Sequence, residues 1–465
     1  MRRILIFILA ALIAASLFGC GSKTEKHLIQ KPERREDTAR ETETETETET
    51  EQIEVDWSYS LRIDQTGSEY ESEDGVHLAS VSYERPVLEV VSDVDFYGAT
   101  PPDEMQEVCD RFNEKLDDIY PDPYSVPEIC ESARNLYDQM DENARVSFHT
   151  FIEEVTVKNY RIDGDLAEFV IERYGYRGGA HGGATRVGYH FDLKNGEYFT
   201  LSDVTDDIDA LNAAVAEEII IQVYKNGEDN YYLSPGYADT INGYKDFNVS
   251  LGDDSLTVIF GEYEIGPYAA GIIEFEIPYG IVSRFLNEDG ERLLSPSLES
   301  KILGRYYDAN EMWYWFEGVI PYDFNDTKTV KVGDIDCVYY RVEIPGVDSV
   351  EDLREKMLTR MTADVVDSRI SSFQNDPDYP MFLEEGGALY VLPMGRGGDM
   401  SINSIDYRVE LFSSGNGGNV IATIVWQDYD EGQGDWVLTG ETTDVAFPFT
   451  FVDGEAVFTG FKTLW

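Results

Sequence analysis

The sequence predicts an α+β fold in which helices pack on antiparallel sheet, followed by a second, separate α+β domain. Three observations carry this. Strand-like runs come in pairs around tight-turn signals, at Asp163-Gly164 and Asn195-Gly196. Apolar residues recur at helical spacing within 104–120, 207–223 and 349–365. Between about Ser295 and Leu303 the chain passes into a unit with a different, tryptophan-rich pattern.

Size and charge bound the rest. A chain of 465 residues suggests about two to four domains. Its formal net charge of −55 keeps it soluble and argues against duplex or other phosphate-rich partners. A cationic protein or peptide, or divalent cations, would complement it. No cofactor motif is present.

The chain opens with Arg2-Arg3, an apolar run from Ile4 to Ala15, and Leu17-Phe18-Gly19-Cys20. This resembles a bacterial lipoprotein signal, residues 1–19, which implies that Cys20 is the acylated first residue of the mature chain. An ordinary secretory signal is the alternative. The apolar run is shorter than the ~20 residues of a comfortable transmembrane helix. The expected location is therefore the outer face of the cytoplasmic membrane, with a lipid anchor. Residues 20–52 have no core-forming pattern, and Glu41 to Glu51 alternate Glu with Thr. Such a segment reads as a disordered, solvated, self-repelling tether.

An α+β module is expected over 53–165. Ser80–Val91 is strand-like with a proline bend. Glu104–Tyr120 is helical, with Met105, Val108, Phe112, Leu116 and Ile119 on one face. A second helix spans about Pro127–Val146. Phe148–Val157 and Leu166–Arg173 then form a hairpin. Residues 166–294 make the next module. Tyr189–Leu193 and Tyr198–Leu201 are strands, and Asp207 caps a helix bearing Leu211, Val215, Ile219 and Val223. Strands Ser255–Phe260 and Ile272–Ile277 bracket the loop Gly261–Gly271, and a short helix through Phe285 ends the module.

The most unusual stretch is Tyr174–Asp192, YGYRGGAHGGATRVGYHFD, in which four glycines flank an Ala-His pair. Together with LTVIFGEYEIGPYAAGIIEFEIPYG further on, it resembles the extracellular RsiV-like (DUF3298) family. The preceding module resembles the DUF4163 unit that accompanies that family. The resemblance implies an outer-surface recognition module. One member of the family is a membrane anti-sigma factor whose outer domain binds lysozyme, and another context is a peptidoglycan deacetylase. Neither a sigma-binding segment nor a His-x-x-x-His pair is expected here.

The last part, 303–465, is read as follows. Arg305–Glu317 is a helix turning Trp313 and Phe316 inward, and Val338–Ile344 is a strand. Ser349 starts a helix with Val350, Leu353, Met357, Met361 and Val365 as its stripe. Ala388–Pro393, Ser404–Leu411, Asn419–Gln427, Trp436–Thr439 and Ala456–Trp465 are strand-like. YYRV, the Ser349 helix start, ALYVLPMGRGGD and the terminal tryptophan resemble IseA-type inhibitors of D,L-endopeptidases. That resemblance implies a protein that blocks NlpC/P60-type wall hydrolases.

Chemistry-bearing residues are few. None of His27, His77, His149, His181 and His190 has metal-ligand spacing, so no metal site is expected. His181 is exposed by its glycines, but a catalytic base needs a nucleophile, and no such signature is visible; no catalytic residue is assigned. The glycines match neither GxxxxGK[ST] nor GxGxxG. Asp428-x-Asp430-x-Gly432 lacks the later EF-hand positions and reads as a hairpin turn. The residues expected to meet a partner are Tyr176, Arg177, His181, Tyr263 and Tyr268, with a purely structural loop as the alternative. Cys109 and Cys130 are the cysteines close in sequence, and an exported compartment permits a disulfide between them; free buried thiols are the alternative.

The expectation is a non-enzymatic envelope lipoprotein binding a cationic protein such as lysozyme or a cell-wall hydrolase, with an inhibitor-like C-terminal domain. The alternatives are an envelope enzyme acting on peptidoglycan or glycan through an unrecognised site, and an adhesive module binding glycan through its tyrosines.

Overall fold

The computed structural model describes residues 25–29, 53–93, 100–119, 125–227, 230–332, 335–374, 380–393, 400–430 and 435–464. Cys20 and the Glu/Thr run lie outside them, as does Gly432. The predicted α+β class is observed, with helices and, among the described residues, four separate sheets. The chain divides into two compact units, one of residues 1–169 and 190–198, the other of 170–189 and 199–465.

The first unit is built on a long hairpin, β2 (Ile53–Glu71) with β3 (His77–Ser92), turned at Gly75, whose φ is +79°. A short strand, β1 (Glu25–Ile29), pairs with the start of β2, within the stretch read as tether. Helices α1 (Asp103–Ile119) and α2 (Ser125–Gln139) follow, and the chain returns as β4 (Phe151–Asp163), parallel to β3. A parallel pair needs a crossover, and the two helices supply it. β4 turns at Gly164 into β5 (Leu166–Tyr176), and with β6 (Gly183–Asp192) and β7 (Glu197–Phe199) the seven strands follow one another in sequence order in one sheet, in which residues 170–189 of β5 and β6 count with the second unit.

Pairing of β4 with β3 stops at Tyr83. Beyond it, Asn113 on α1 takes the place of a strand. Its amide donates to Leu88 O (2.9 Å), and its Oδ1 accepts from Leu88 N (3.2 Å). Pro86, which has no N–H to offer, lies in this stretch. Phe112 is fully buried among Phe169, Phe191 and Tyr198, with ring centroids 5.1–5.7 Å from its own. Glu168, also buried, is held by Arg161 Nε at 3.0 Å, with His190 Nε2 at 3.8 Å from its other oxygen.

Cys109, Cys130 and Cys337 are free thiols, so the bridge considered for Cys109 and Cys130 is absent. Cys109 is buried on the core face of α1, whereas the half-buried Cys130 on α2 has the Tyr70 hydroxyl and Arg134 beside it.

In the second unit, α3 (Ile208–Asn226) starts at Asp207, whose carboxylate accepts from Ala210 N, and buries Leu211, Val215, Ile219 and Val223 as predicted. A short α4 (Tyr237–Asn242) leads to β8 (Val249–Leu251), which joins β9 (Ser255–Phe260) and β10 (Ile273–Pro278) in a three-stranded sheet. α5 (Tyr279–Val282), α6 (Glu288–Leu294) and α7 (Leu298–Tyr314) come next.

The boundary expected at 303 falls inside α7. This helix faces both ways. Ser300 accepts from Ser283 Oγ through its carbonyl and donates its hydroxyl to Asp254, while Gly280 and Gly304 let α5 and α7 approach closely. Farther along, Tyr306 and Trp313 enter the next core, alongside Phe316, Phe447 and Phe458.

That core is closed by two four-stranded sheets. One has β11 (Tyr322–Val332), β12 (Ile335–Val342), β14 (Ala388–Val391) and β13 (Phe382–Glu385) in that order. The other runs β15 (Ile402–Leu411), β16 (Gly417–Asp430), β17 (Asp435–Val452), β18 (Glu455–Phe458). The single helix expected from Ser349 is two, α8 (Val350–Leu358) and α9 (Ala363–Gln374), because Met361 forms a bridge to Phe458 between them. Of the strand expected over Ala456–Trp465, Ala456–Phe458 is strand and the other described residues, 459–464, are not.

Candidate functional site

The glycine-rich stretch and the 261–271 loop meet. β5 carries Tyr174 and Tyr176 on one face, since side chains two apart share a face. The chain then turns through Gly178 (φ +84°) and Gly179 (φ +108°), a backbone region glycine occupies without strain. Tyr176 Oη donates to Gly179 O (3.1 Å) and ties the turn to the strand. Gly182 is buried, and a Cβ there would fall 2.5 Å from Tyr174 Cζ. Glycine is thus required at 182 by the ring behind it.

This packing turns His181 outward. Its imidazole stacks on the Tyr268 ring, with centroids 3.8 Å apart and planes 23° from parallel. Nδ1 lies 2.8 Å from Gly182 O, and a carbonyl can only accept, so Nδ1 carries a proton and Nε2 faces away from that bond. Tyr263 lies 5.9 Å from Tyr268 and tilted by 31°. The Tyr263 backbone holds φ +69°, which costs energy for a residue with a side chain. The 3-10 turn Tyr268–Ala270, closed by Gly271 at φ +68°, places Tyr268.

Burial, then the nearby Glu262 and the phenols of Tyr174 and Tyr263, push the Tyr268 hydroxyl above its ordinary pKa, so it stays a neutral phenol. Tyr263 is 62% exposed and His181 is exposed, whereas Tyr268 is half-buried. The product is a small aromatic surface with a carboxylate at its edge.

Two further contacts hold this surface in place. Arg186 on β6 donates to Glu172 on β5 (Nε, 3.0 Å) and to Glu274 on β10. Burial alone would lower its pKa, but the two carboxylates outweigh that and raise it. The Asn248 side chain accepts from Gly188 N (3.1 Å) and donates to Arg186 O (2.7 Å), as a strand would. A Cβ at Gly188 would run into the Val249 carbonyl, with Val249 C at 2.8 Å.

Of the five residues expected to meet a partner, the structure brings His181, Tyr263 and Tyr268 together. Tyr176 stabilises the turn instead, and Arg177 is exposed within it. Tyr174 and Glu262 belong to the site and were not singled out from the sequence. A stacked π surface beside a carboxylate suits cations and apolar sugar faces. Among the described residues, no group of three or more His, Cys, Asp or Glu could hold a metal ion, and no helix is long and apolar enough to cross a membrane.

Comparison with known proteins places a DUF3298 domain, described as a protein of unknown function, at residues 199–280. That range includes the Tyr263–Tyr268 loop and begins after the His181 turn. Among solved structures, a DUF3298 family member from Bacteroides fragilis is 16% identical, covering 50% of this chain and 94% of that one at a TM-score of 0.35. A DUF3298 family protein from Pseudomonas aeruginosa is also 16% identical, covering 50% and 96% at a TM-score of 0.31. At TM-scores below 0.5 neither fixes the fold. No curated protein matches the chain.

Proposed function

We propose that this chain is a non-enzymatic recognition protein of the bacterial envelope, lipid-anchored through Cys20, that binds a cationic wall-active enzyme such as lysozyme. The observation that carries the reading is the His181–Tyr268–Tyr263 surface with Glu262 at its edge. An exposed lysine or arginine of a partner would gain cation–π contact there, worth about 0.5–1 kcal/mol at an exposed site and more when desolvated. The net charge of −55 would draw a basic protein in and raise its on-rate. Steering and docking are thereby separate: the whole acidic surface steers, and the aromatic surface fixes position.

In this reading the C-terminal third, residues 303–465, adds a second contact, restraining a D,L-endopeptidase of the NlpC/P60 type. Its test uses the whole chain, because a fragment beginning at Leu303 would lose the first turn of α7 with its Ser297 cap. Slower peptidoglycan cleavage by such an enzyme supports the inhibitor role, and an unchanged rate removes it.

The recognition role is tested by co-precipitation of lysozyme with the purified chain at low and high salt. A complex that weakens with salt supports it. Absence of any complex at low salt sinks it.

A further inference from the structure

We infer that a groove in the second unit, walled by α3 on one side and by α7 and β15 on the other, takes an amphipathic, cationic peptide segment. The groove has a volume of about 1040 Å³, just above the ~300–1,000 Å³ usual for ligand sites. It uses none of the residues of the His181 surface.

The α3 helix shows why an occupant is needed. One face of it is core. A second stripe, Glu217, Ile221 and Tyr224, runs along the groove at i, i+4 and i+7, and so lies on one side of the helix. Ile221 is 38% exposed and Tyr224 69% exposed. A helix apolar on two faces has more surface to bury than this core covers. Leu303, Ile281 and Ile402 add apolar lining.

Charge selects the kind of occupant. The lining carries the carboxylates Glu217, Glu218, Glu311, Glu317 and Asp406 against two cations, Lys225 and Arg284, and Glu317 is paired with Arg369 beside it. Both cations are already engaged: Lys225 with Asp406 (3.4 Å), and Arg284 with Asp308 (3.3 Å) and Glu311 (3.1 Å). Glu217 and Glu218 have no ion pair among the described residues, and Gln222 donates to Glu218 (3.0 Å). Asn310 Oδ1 and Arg284 Nε, both on the lining, are buried with no hydrogen-bond partner among the described residues, and a peptide backbone offers a donor and an acceptor together. An unsatisfied acceptor of this kind wants an N–H. Apolar side chains, ammonium or guanidinium groups and backbone N–H donors are combined in a basic amphipathic peptide. An acyl chain would leave the carboxylates and Asn310 unanswered.

The experiment measures binding of a labelled nonapeptide of alternating Lys and Leu to the full chain, beside a Lys/Ser counterpart. Against a protein this acidic, any cationic peptide will show some attraction, so the controls carry the decision. The Lys/Leu peptide should bind about tenfold more tightly than the Lys/Ser peptide. Ile221→Arg, Glu217→Lys and the charge-neutral Tyr224→Ala should each weaken it several-fold, with unchanged melting temperature. Glu107→Lys, the same charge change on the exposed face of α1, should leave binding unaltered. Equal weakening by Glu107→Lys and Glu217→Lys, or equal binding of the two peptides, would overturn the inference. Loss through Tyr224→Ala with lysozyme binding intact supports the groove and separates it from the aromatic surface.

Discussion

The His181 imidazole and the Tyr268 ring, 87 residues apart in the chain, stack at 3.8 Å and make one continuous π surface. Neither ring would hold this position alone. Gly182, pressed against Tyr174, sets the first, and the turn closed by Gly271 sets the second. The glycines of the 178–183 stretch are therefore spacing devices for a surface whose other half comes from a distant loop.

The most constrained glycine in this region is Gly188, beside the Val249 carbonyl. Gly188→Ala must push β6 away from β8 and disturb both Asn248 hydrogen bonds. Urea unfolding should show a loss of about 1–3 kcal/mol, the usual range for overpacking. Gly179→Ala, with open space around its Cβ position, should act through backbone strain alone and cost less.

Arg369 and Glu317 are both nearly buried, 2.9 Å apart, with the guanidinium also 4.2 Å from the centre of the Trp313 ring. Thr463 donates to the same Glu317 oxygen, so this pair anchors the C-terminal segment. Arg369→Met leaves a buried carboxylate uncompensated and should cost about 3–5 kcal/mol in chemical denaturation. The double substitution Arg369→Met, Glu317→Leu should recover much of that loss.

Glu218 is held above its ordinary pKa of 4.5, chiefly by burial, with Gln222 and Lys225 opposing. A carboxyl with a raised folded pKa binds its proton more tightly folded than unfolded. It therefore favours the folded state at low pH, and this contribution is lost as pH rises from 4.5 through the folded value. Glu218→Gln should flatten that part of the stability–pH curve and leave the chain as stable or more so at neutral pH. A steeper dependence in the variant would contradict this.

Thiol reactivity should rank by burial. The Cys109 thiol is pushed up to about 12 by burial, with Asp110 and Glu89 adding to it, whereas Cys130 is half-buried and raised less. Iodoacetamide labelling of the native chain followed by peptide mapping should modify Cys130 well before Cys109. The reverse order would mean that α2 shields its thiol more than α1 does.

The sequence made some of this legible. Asp207 and Ser349 stand just before apolar stripes, and both cap helices where expected. Asp163-Gly164 and Asn195-Gly196 turn as their chemistry demands. The long strand β2 carries the right period, Ile53, Val55, Trp57, Tyr59, Leu61 and Ile63 alternating with polar residues, but it continues an alternating Glu/Thr tract with no turn signal to mark where it begins. The α8–α9 break was hidden, since the apolar spacing continues through Met361 although the backbone there joins β18. At the site, His181, Tyr263 and Tyr268 could be named individually. Their stacking could not, because tertiary pairing of two loops leaves no local period. The groove left no local pattern, because Ile221 and Tyr224 line it only once α7 and β15 come alongside α3.

The proposed function requires that aromatic docking, over and above charge, fix the partner. Tyr263→Ala with Tyr268→Ala changes no charge, so steering by the acidic surface is untouched. Calorimetric titration of lysozyme into the full chain and into this double variant, at low and at physiological salt, separates the two effects. Affinity should be at least about tenfold lower in the variant at both salts, with the melting temperature preserved. Equal affinity of the two proteins at physiological salt would contradict it.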